Sequence, residues 1–139
     1  MTASKQTGLG WTSASIDDSS GTPRELRPDF TTVDISTPRA VIDVTGLDKL
    51  AFERLLGLAD ITMTFGGLFD TGTNMLHETL SDVASTSVAR TTSLEVASQV
   101  LAAEMLFTDY PLSRDNTGAV TIKIPASLAD GTPPEWTTS

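Results

Sequence analysis

Asp60-Ile61-Thr62-Met63-Thr64-Phe65 alternates without a break, with Ile61, Met63 and Phe65 on one side and Asp60, Thr62 and Thr64 on the other. A period of two is the pattern of a strand with one buried and one wetted face. Such a strand needs others to share its buried face, and the sequence offers them on both sides. In Phe30-Thr31-Thr32-Val33-Asp34-Ile35-Ser36, Val33 and Ile35 alternate with hydroxylic and acidic residues, and Pro38 ends the run or places it at an edge. Ala119-Val120-Thr121-Ile122-Lys123-Ile124-Pro125 alternates as strictly, behind Asp115-Asn116-Thr117-Gly118, a hairpin signal because Asn and Gly tolerate positive φ. Residues 87–96 also read as strand. So does 100–110, where the need for sheet partners outweighs the helix formers Leu101-Ala102-Ala103-Glu104-Met105-Leu106. Gly66-Gly67 is expected to end the central strand.

Between these strands, residues 48–57 read as the one packed helix. Asp48 suits the N-cap, Leu50, Phe52, Leu55 and Leu56 form an apolar stripe, Lys49, Glu53 and Arg54 face away, and Gly57 stops the run. About ten residues do not make a stable helix alone, so it must lie on a sheet. A shorter helical turn is expected within 70–82. The fold class is therefore mainly β: an antiparallel β-sandwich or partly open barrel with one packed α-helix. With 139 residues there is room for one domain, 16–136, flanked by a flexible N-terminal arm, 1–15, and a C-terminal tail, 137–139.

Composition removes whole classes of chemistry. The chain has no Cys and one His, so thiol, disulfide and thiolate-metal functions are excluded, and any imidazole site rests on His77. A net charge of −9 argues against an open nucleic-acid-binding surface. No apolar run is long enough to span a membrane, and the N-terminus lacks the pattern of a secretory signal, so synthesis in the cytoplasm is expected. Gly8-Leu9-Gly10 and Gly66-Gly67 lack the context of a phosphate loop. Asp17, Asp18, Asp43, Asp48 and Asp60 are explained by turns and caps more simply than by a metal. His77 has no partner in sequence that makes it part of a triad. We expect no catalytic, cofactor or metal site, and no enzyme. Of 139 residues, 22 are Thr and 14 Ser, which suits solvated strand faces or a wet surface shared between subunits. Trp11, in a polar arm, either anchors onto something else or covers the edge of its own core.

The order of these features resembles a known family. Val33-Asp34-Ile35-Ser36-Thr37-Pro38-Arg39, then Asp43-Val44-Thr45-Gly46-Leu47-Asp48, look like the front half of the major tail proteins (tail tube proteins) of long-tailed actinobacterial phages. Gly67-Leu68-Phe69-Asp70, His77, Leu112-Ser113-Arg114 and the closing Ala129-Asp130-Gly131-Thr132-Pro133-Pro134-Glu135-Trp136 are similar to later landmarks of that family, in the same order over residues 16–136.

The resemblance implies a virion structural protein. Its subunits form hexameric rings that stack into a hollow tail tube, work beside a tape measure and a tail terminator, and let DNA pass through the lumen without specific binding. Leu9 and Trp11 become candidates for contact between rings. Thr62 and Thr64, or Thr121 and Lys123, become candidates for the lumen, although Lys123 suits an acidic wall poorly. The alternatives are the tube protein of a contractile injection system, a tail-completion protein, or a surface-binding β-sandwich module. The last is weakened by only two Trp and one Tyr.

Overall fold

In the computed structural model, residues 7, 10–114, 116–129, 131–133 and 135–138 are described. In chain order the elements are β1 (Trp11–Asp17), β2 (Pro23–Glu25), a 3₁₀ turn (Arg27–Asp29), β3 (Phe30–Ser36), β4 (Arg39–Asp43), β5 (Arg54–Ala59) and β6 (Thr62–Leu68). They are followed by α1 (Leu76–Leu80), β7 (Arg90–Val96), β8 (Gln99–Phe107), β9 (Leu112–Arg114), β10 (Val120–Leu128) and β11 (Trp136–Thr138). Nine strands form one antiparallel sheet in the order β2-β1-β7-β8-β10-β6-β3, with β11 added to β8 and β9 to β10. Among the described residues, β4 and β5 pair only with each other, as a separate hairpin.

The sheet divides between β8 and β10. These two strands pair only at their C-terminal ends, Phe107 with Ala126, Leu106 with Ser127 and Met105 with Leu128. Nearer their N-termini, β8 takes β11 and β10 takes β9. Two wings result, β2-β1-β7-β8 and β10-β6-β3, and their apolar faces form one core. Ile16, Leu94, Leu101 and Met105 of the first wing lie in the same buried cluster as Met63, Phe65, Ile122 and Ile124 of the second. The Phe65 ring stacks on Phe30 at 5.0 Å and lies 6.1 Å from Phe107 across the fork. The end strands β2 and β3 do not pair, so the sheet is not closed into a barrel. Each core side chain of this size contributes roughly 1.5–3 kcal/mol by leaving water.

The alternating segments are strands as read, including the ambiguous stretch that becomes β8. Several expectations are corrected. Residues 48–57 are not a helix: 44–53 are an irregular loop and 54–59 are β5. Asp43 Oδ1 accepts the Thr45 N–H at 3.0 Å and the Thr45 hydroxyl at 2.6 Å, Thr45 Oγ1 accepts the Glu53 N–H at 2.8 Å, and the Val44 N–H donates to Glu53 O at 3.0 Å. These bonds tie the two ends of the segment into a hairpin, and Gly57 lies within β5. The helix is α1, inside the segment 70–82. The arm 1–15 is not wholly an arm, because β1 starts at Trp11 and pairs with β7. Thr137 and Thr138 of the expected tail belong to β11.

Gly66-Gly67 does not end β6. Strand pairing runs through both residues to Leu68, and they are glycine because β3 comes close. A Cβ on Gly67 would sit 2.6 Å from Asp29 O, and one on Gly66 would collide with Thr32 Oγ1. At the far end of the core, Arg90 is 1% exposed. Its guanidinium donates to Thr79 O at 2.7 Å and Asp17 O at 3.2 Å and pairs with Asp82 at 2.8 Å, fastening the end of α1 to β1.

Candidate functional site

The β4–β5 hairpin departs most from the economy of the rest of the molecule. Ile42 lies opposite Leu55 on one face and Val41 opposite Leu56 on the other. All four are exposed, at 50–62%. The ribbon is therefore apolar on both sides. At its tip Leu47 and Leu50 are fully exposed, and Phe52 is 70% exposed beneath the Arg54 guanidinium, 4.7 Å from its ring centroid. A two-stranded hairpin is marginal in water without a surface to pack on, and a contiguous exposed apolar patch marks an interaction site. The residues assigned to a buried helical stripe, Leu50, Phe52, Leu55 and Leu56, are thus the ones left uncovered.

The outer faces of the two wings differ in charge. Residues directly opposite in an antiparallel pair share a face. On the β3–β6–β10 wing, Thr62 faces Ser36 and Ser127, Thr64 faces Asp34 and Pro125, Thr121 faces Leu68, and Lys123 faces Gly66. The four residues proposed in sequence as two alternative pairs, Thr62 with Thr64 and Thr121 with Lys123, thus lie on one continuous hydroxylic face with one acid and one base. On the β2–β1–β7–β8 wing, Glu25 faces Ser15, Ser13 faces Glu95, and Thr91 faces Glu104, with Asp17 on the same side. Among the described residues this face carries four carboxylates and no Lys or Arg. Burial, with Glu104 and Asp18 nearby, holds the Asp17 carboxyl above its ordinary range despite hydrogen bonds from Thr91. The Thr91 hydroxyl has one proton, for which Glu104 competes with Asp17. No pattern in the sequence distinguishes this face, because it depends on which wing each strand joins.

Of the two arm residues singled out in sequence, Leu9 lies outside the described residues. Trp11 opens β1 and packs against the core edge. With Ala14, Phe30, Val33 and Arg27 it lines a cleft of about 290 Å³ where the wings fail to close. Trp11 therefore covers its own core edge, and its exposed part is left to line this seam.

His77 packs among aromatic side chains. Its ring packs edge-on against Phe69 at 4.8 Å, and its Nδ1 lies 3.2 Å from the Tyr110 hydroxyl. Asp18 is a turn residue, as its sequence context suggests. Its Oδ1 accepts the Ser20 and Thr22 N–H groups and its Oδ2 accepts Arg24, and these bonds hold the carboxyl down at about 2. Among the described residues no three His, Asp or Glu side chains converge on a common point.

No protein-family model matches the chain. No curated protein matches its sequence. Among the solved structures that match its fold are two that cover nearly the whole chain. One is a chain in the virion of a native gene transfer agent particle, with a TM-score of 0.74 and 14% identity over 96% of this chain and 100% of that one. The other is a chain in the tail of an empty gene transfer agent particle, refined with helical C6 symmetry, with a TM-score of 0.76 and 14% identity over 97% of this chain and 99% of that one. At this identity the likeness bears on the fold alone, which is mainly antiparallel β with one helix.

Proposed function

We propose that this chain is a tail tube subunit of a phage-like particle, located in the virion tail, that assembles into hexameric rings stacked as a conduit for DNA. The observation that carries this reading is the end-to-end likeness of fold to a chain from a C6-symmetric tail. The hairpin supports it independently. A ribbon apolar on both faces needs a neighbour on each side, and a head-to-tail arrangement of identical copies supplies two different neighbours. In this reading the hairpin of one copy lies between adjacent copies and ties one ring to the next. The unpaired end strands β2 and β3 are edges that joining within a ring would protect.

Charge selects the wall of the conduit. A lumen that repels phosphate lets DNA pass, whereas Lys and Arg would hold it. The outer face of β1–β7–β8, with Asp17, Glu25, Glu95 and Glu104, meets that requirement better than the near-neutral face holding Thr62, Thr64, Thr121 and Lys123. The acidic face is therefore our choice for the lumen. The role is structural rather than enzymatic. Synthesis in the host cytoplasm, partnership with a tape measure and a terminator, and an actinobacterial host belong to the same proposal, on the strength of the sequence resemblance.

The test is negative-stain microscopy with sedimentation of the purified protein, with tail initiation components supplied where the chain alone stays monomeric. Hollow tubes of six-fold cross-section are expected. A monomer that persists with the initiator present contradicts the reading. Because β1 begins at Trp11, a test of the arm must remove residues 1–9 only. Loss of stacking with an intact domain is expected, and stacking at the normal rate would remove Leu9 from the interface.

A further inference from the structure

We infer that the hairpin tip of one copy seats in the Trp11 cleft of a second copy, with Leu47 and Leu50 filling the cleft and Asp48 pairing with Arg27 at its rim. This rests on the proposed assembly and deepens it. That reading gives the hairpin a neighbouring copy to lie on, and the cleft is the place on that copy which the tip fits.

The tip is a preformed knob. The Lys49 N–H donates to Gly46 O at 3.2 Å, so Leu47 and Asp48 take the two corner positions of a tight turn, with Leu50 close behind. Leu47 and Leu50 are fully exposed. Below them the bonds of Asp43 to Thr45 and of Thr45 to Glu53 hold the loop in shape, so little is left to order on docking. The charges of the tip are matched at all but one residue. Asp43 is taken by the Thr45 hydroxyl and Glu53 by Lys49, at 3.5 Å. Asp48 has no hydrogen bond or ion pair among the described residues.

The cleft is the complement of this knob. It lies between β1 and β3, where the two wings stay apart, and Trp11, Phe30 and Val33 give it half-buried apolar walls. Its volume of about 290 Å³ is at the bottom of the range of small-molecule pockets, roughly 300–1,000 Å³, and suits side chains offered by another chain. Arg27 stands exposed at the rim. Glu25 does not neutralise it, because that carboxylate is occupied by the backbone N–H groups of Ala14 and Arg27 and by the Ser13 hydroxyl. The Arg27 guanidinium has no hydrogen bond or ion pair among the described residues. An unpaired acid beside an apolar knob thus matches an unpaired base beside an apolar cleft. The exposed tip does not reach the cleft of its own copy. A knob and a cleft at different places on one chain make a head-to-tail contact, which repeats from copy to copy.

The test uses the full chain with tail initiation components supplied. Arg27→Asp or Asp48→Arg alone places like charges at the rim and is expected to lower the assembled fraction at least about tenfold. Both reversals in one chain restore the pair and are expected to bring assembly back to within about threefold of the wild type. Both residues are exposed, so urea unfolding of the variant monomers is expected to match the wild type. For the contact itself, Leu50→Cys chains are mixed with Thr31→Cys chains, assembled, treated with a short bifunctional thiol reagent and read by mass spectrometry of the linked peptides. A link between positions 50 and 31 is expected, at least about tenfold more abundant than the link formed when Ser127→Cys replaces Thr31→Cys. Normal assembly of both single reversals, no recovery in the double reversal, or tubes in which position 50 links to 127 in preference to 31 would each overturn the docking while leaving the tube reading intact. Wild-type chains that stay monomeric with the initiator present would remove the tube reading and this contact with it.

Discussion

β6 and the β4–β5 hairpin are neighbours in sequence with similar apolar content and opposite fates. Met63 and Phe65 are buried, whereas Leu55, Leu56 and Leu58 of β5, a few residues earlier, are more than half exposed. The difference lies in partners. β6 is paired on both sides and puts its apolar side chains on one face, so a single core satisfies it. The hairpin has only its own two strands and is apolar on both faces, so no single core does. Apolar residues that keep a period of two are accounted for within the chain. Those on both faces of an isolated ribbon are accounted for by another molecule.

The comparison is sharpened by substitutions on each side of it. Phe65→Ala removes the ring that joins β3, β6 and β8 and is expected to destabilise the monomer by about 3–5 kcal/mol in urea unfolding. A loss below about 1 kcal/mol would mean that the two wings do not share one core. Arg90→Met should cost about 2–3 kcal/mol, because it strands the buried Thr79 carbonyl and leaves Asp82 without its partner. Gly67→Ala should cost about 1–3 kcal/mol, since its Cβ meets the backbone oxygen of Asp29. Gly66→Ala should cost less, because it meets only a Thr32 hydroxyl that rotates away, and the reverse order would contradict the packing of β3 on β6. The double substitution Leu47→Ser with Leu50→Ser is expected to change monomer stability by less than about 0.5 kcal/mol and to abolish assembly. A large loss of monomer stability would place these residues in the core after all.

β3, β6 and β10 were legible because burial on one face writes itself as alternation. β3 runs over the seven residues expected of it, and β10 follows its pattern through Ile122 and Ile124. The hairpin was not legible, because an apolar ribbon exposed on both faces mimics a helical stripe when spacing alone is read. Leu50, Phe52, Leu55 and Leu56 fit the helical template, yet the bonds from Asp43 and Thr45 to Glu53 set the local geometry. β1 was hidden by its composition, since Thr12-Ser13-Ala14-Ser15 buries only small side chains before Ile16. The buried Arg90 and Asp29 were invisible for another reason. Asp29 meets Leu76 47 residues away, and Arg90 reaches Asp17 73 residues away, besides Thr79 and Asp82 beyond the next turn, and no local pattern reports such contacts. The acidic face was hidden in the same way, because Glu25, Glu95 and Glu104 become neighbours only once the order of strands is known.

The absence of cysteine makes the central claim directly measurable. A single thiol introduced as Leu50→Cys at the hairpin tip can be labelled in the monomer and in the assembled state, with Ser127→Cys on the outer sheet face as a second site. The account predicts fast labelling of position 50 in the monomer and at least tenfold protection after assembly into six-fold tubes, in line with burial against a neighbouring copy. Equal labelling of position 50 before and after assembly would leave the apolar hairpin in solvent and contradict the account.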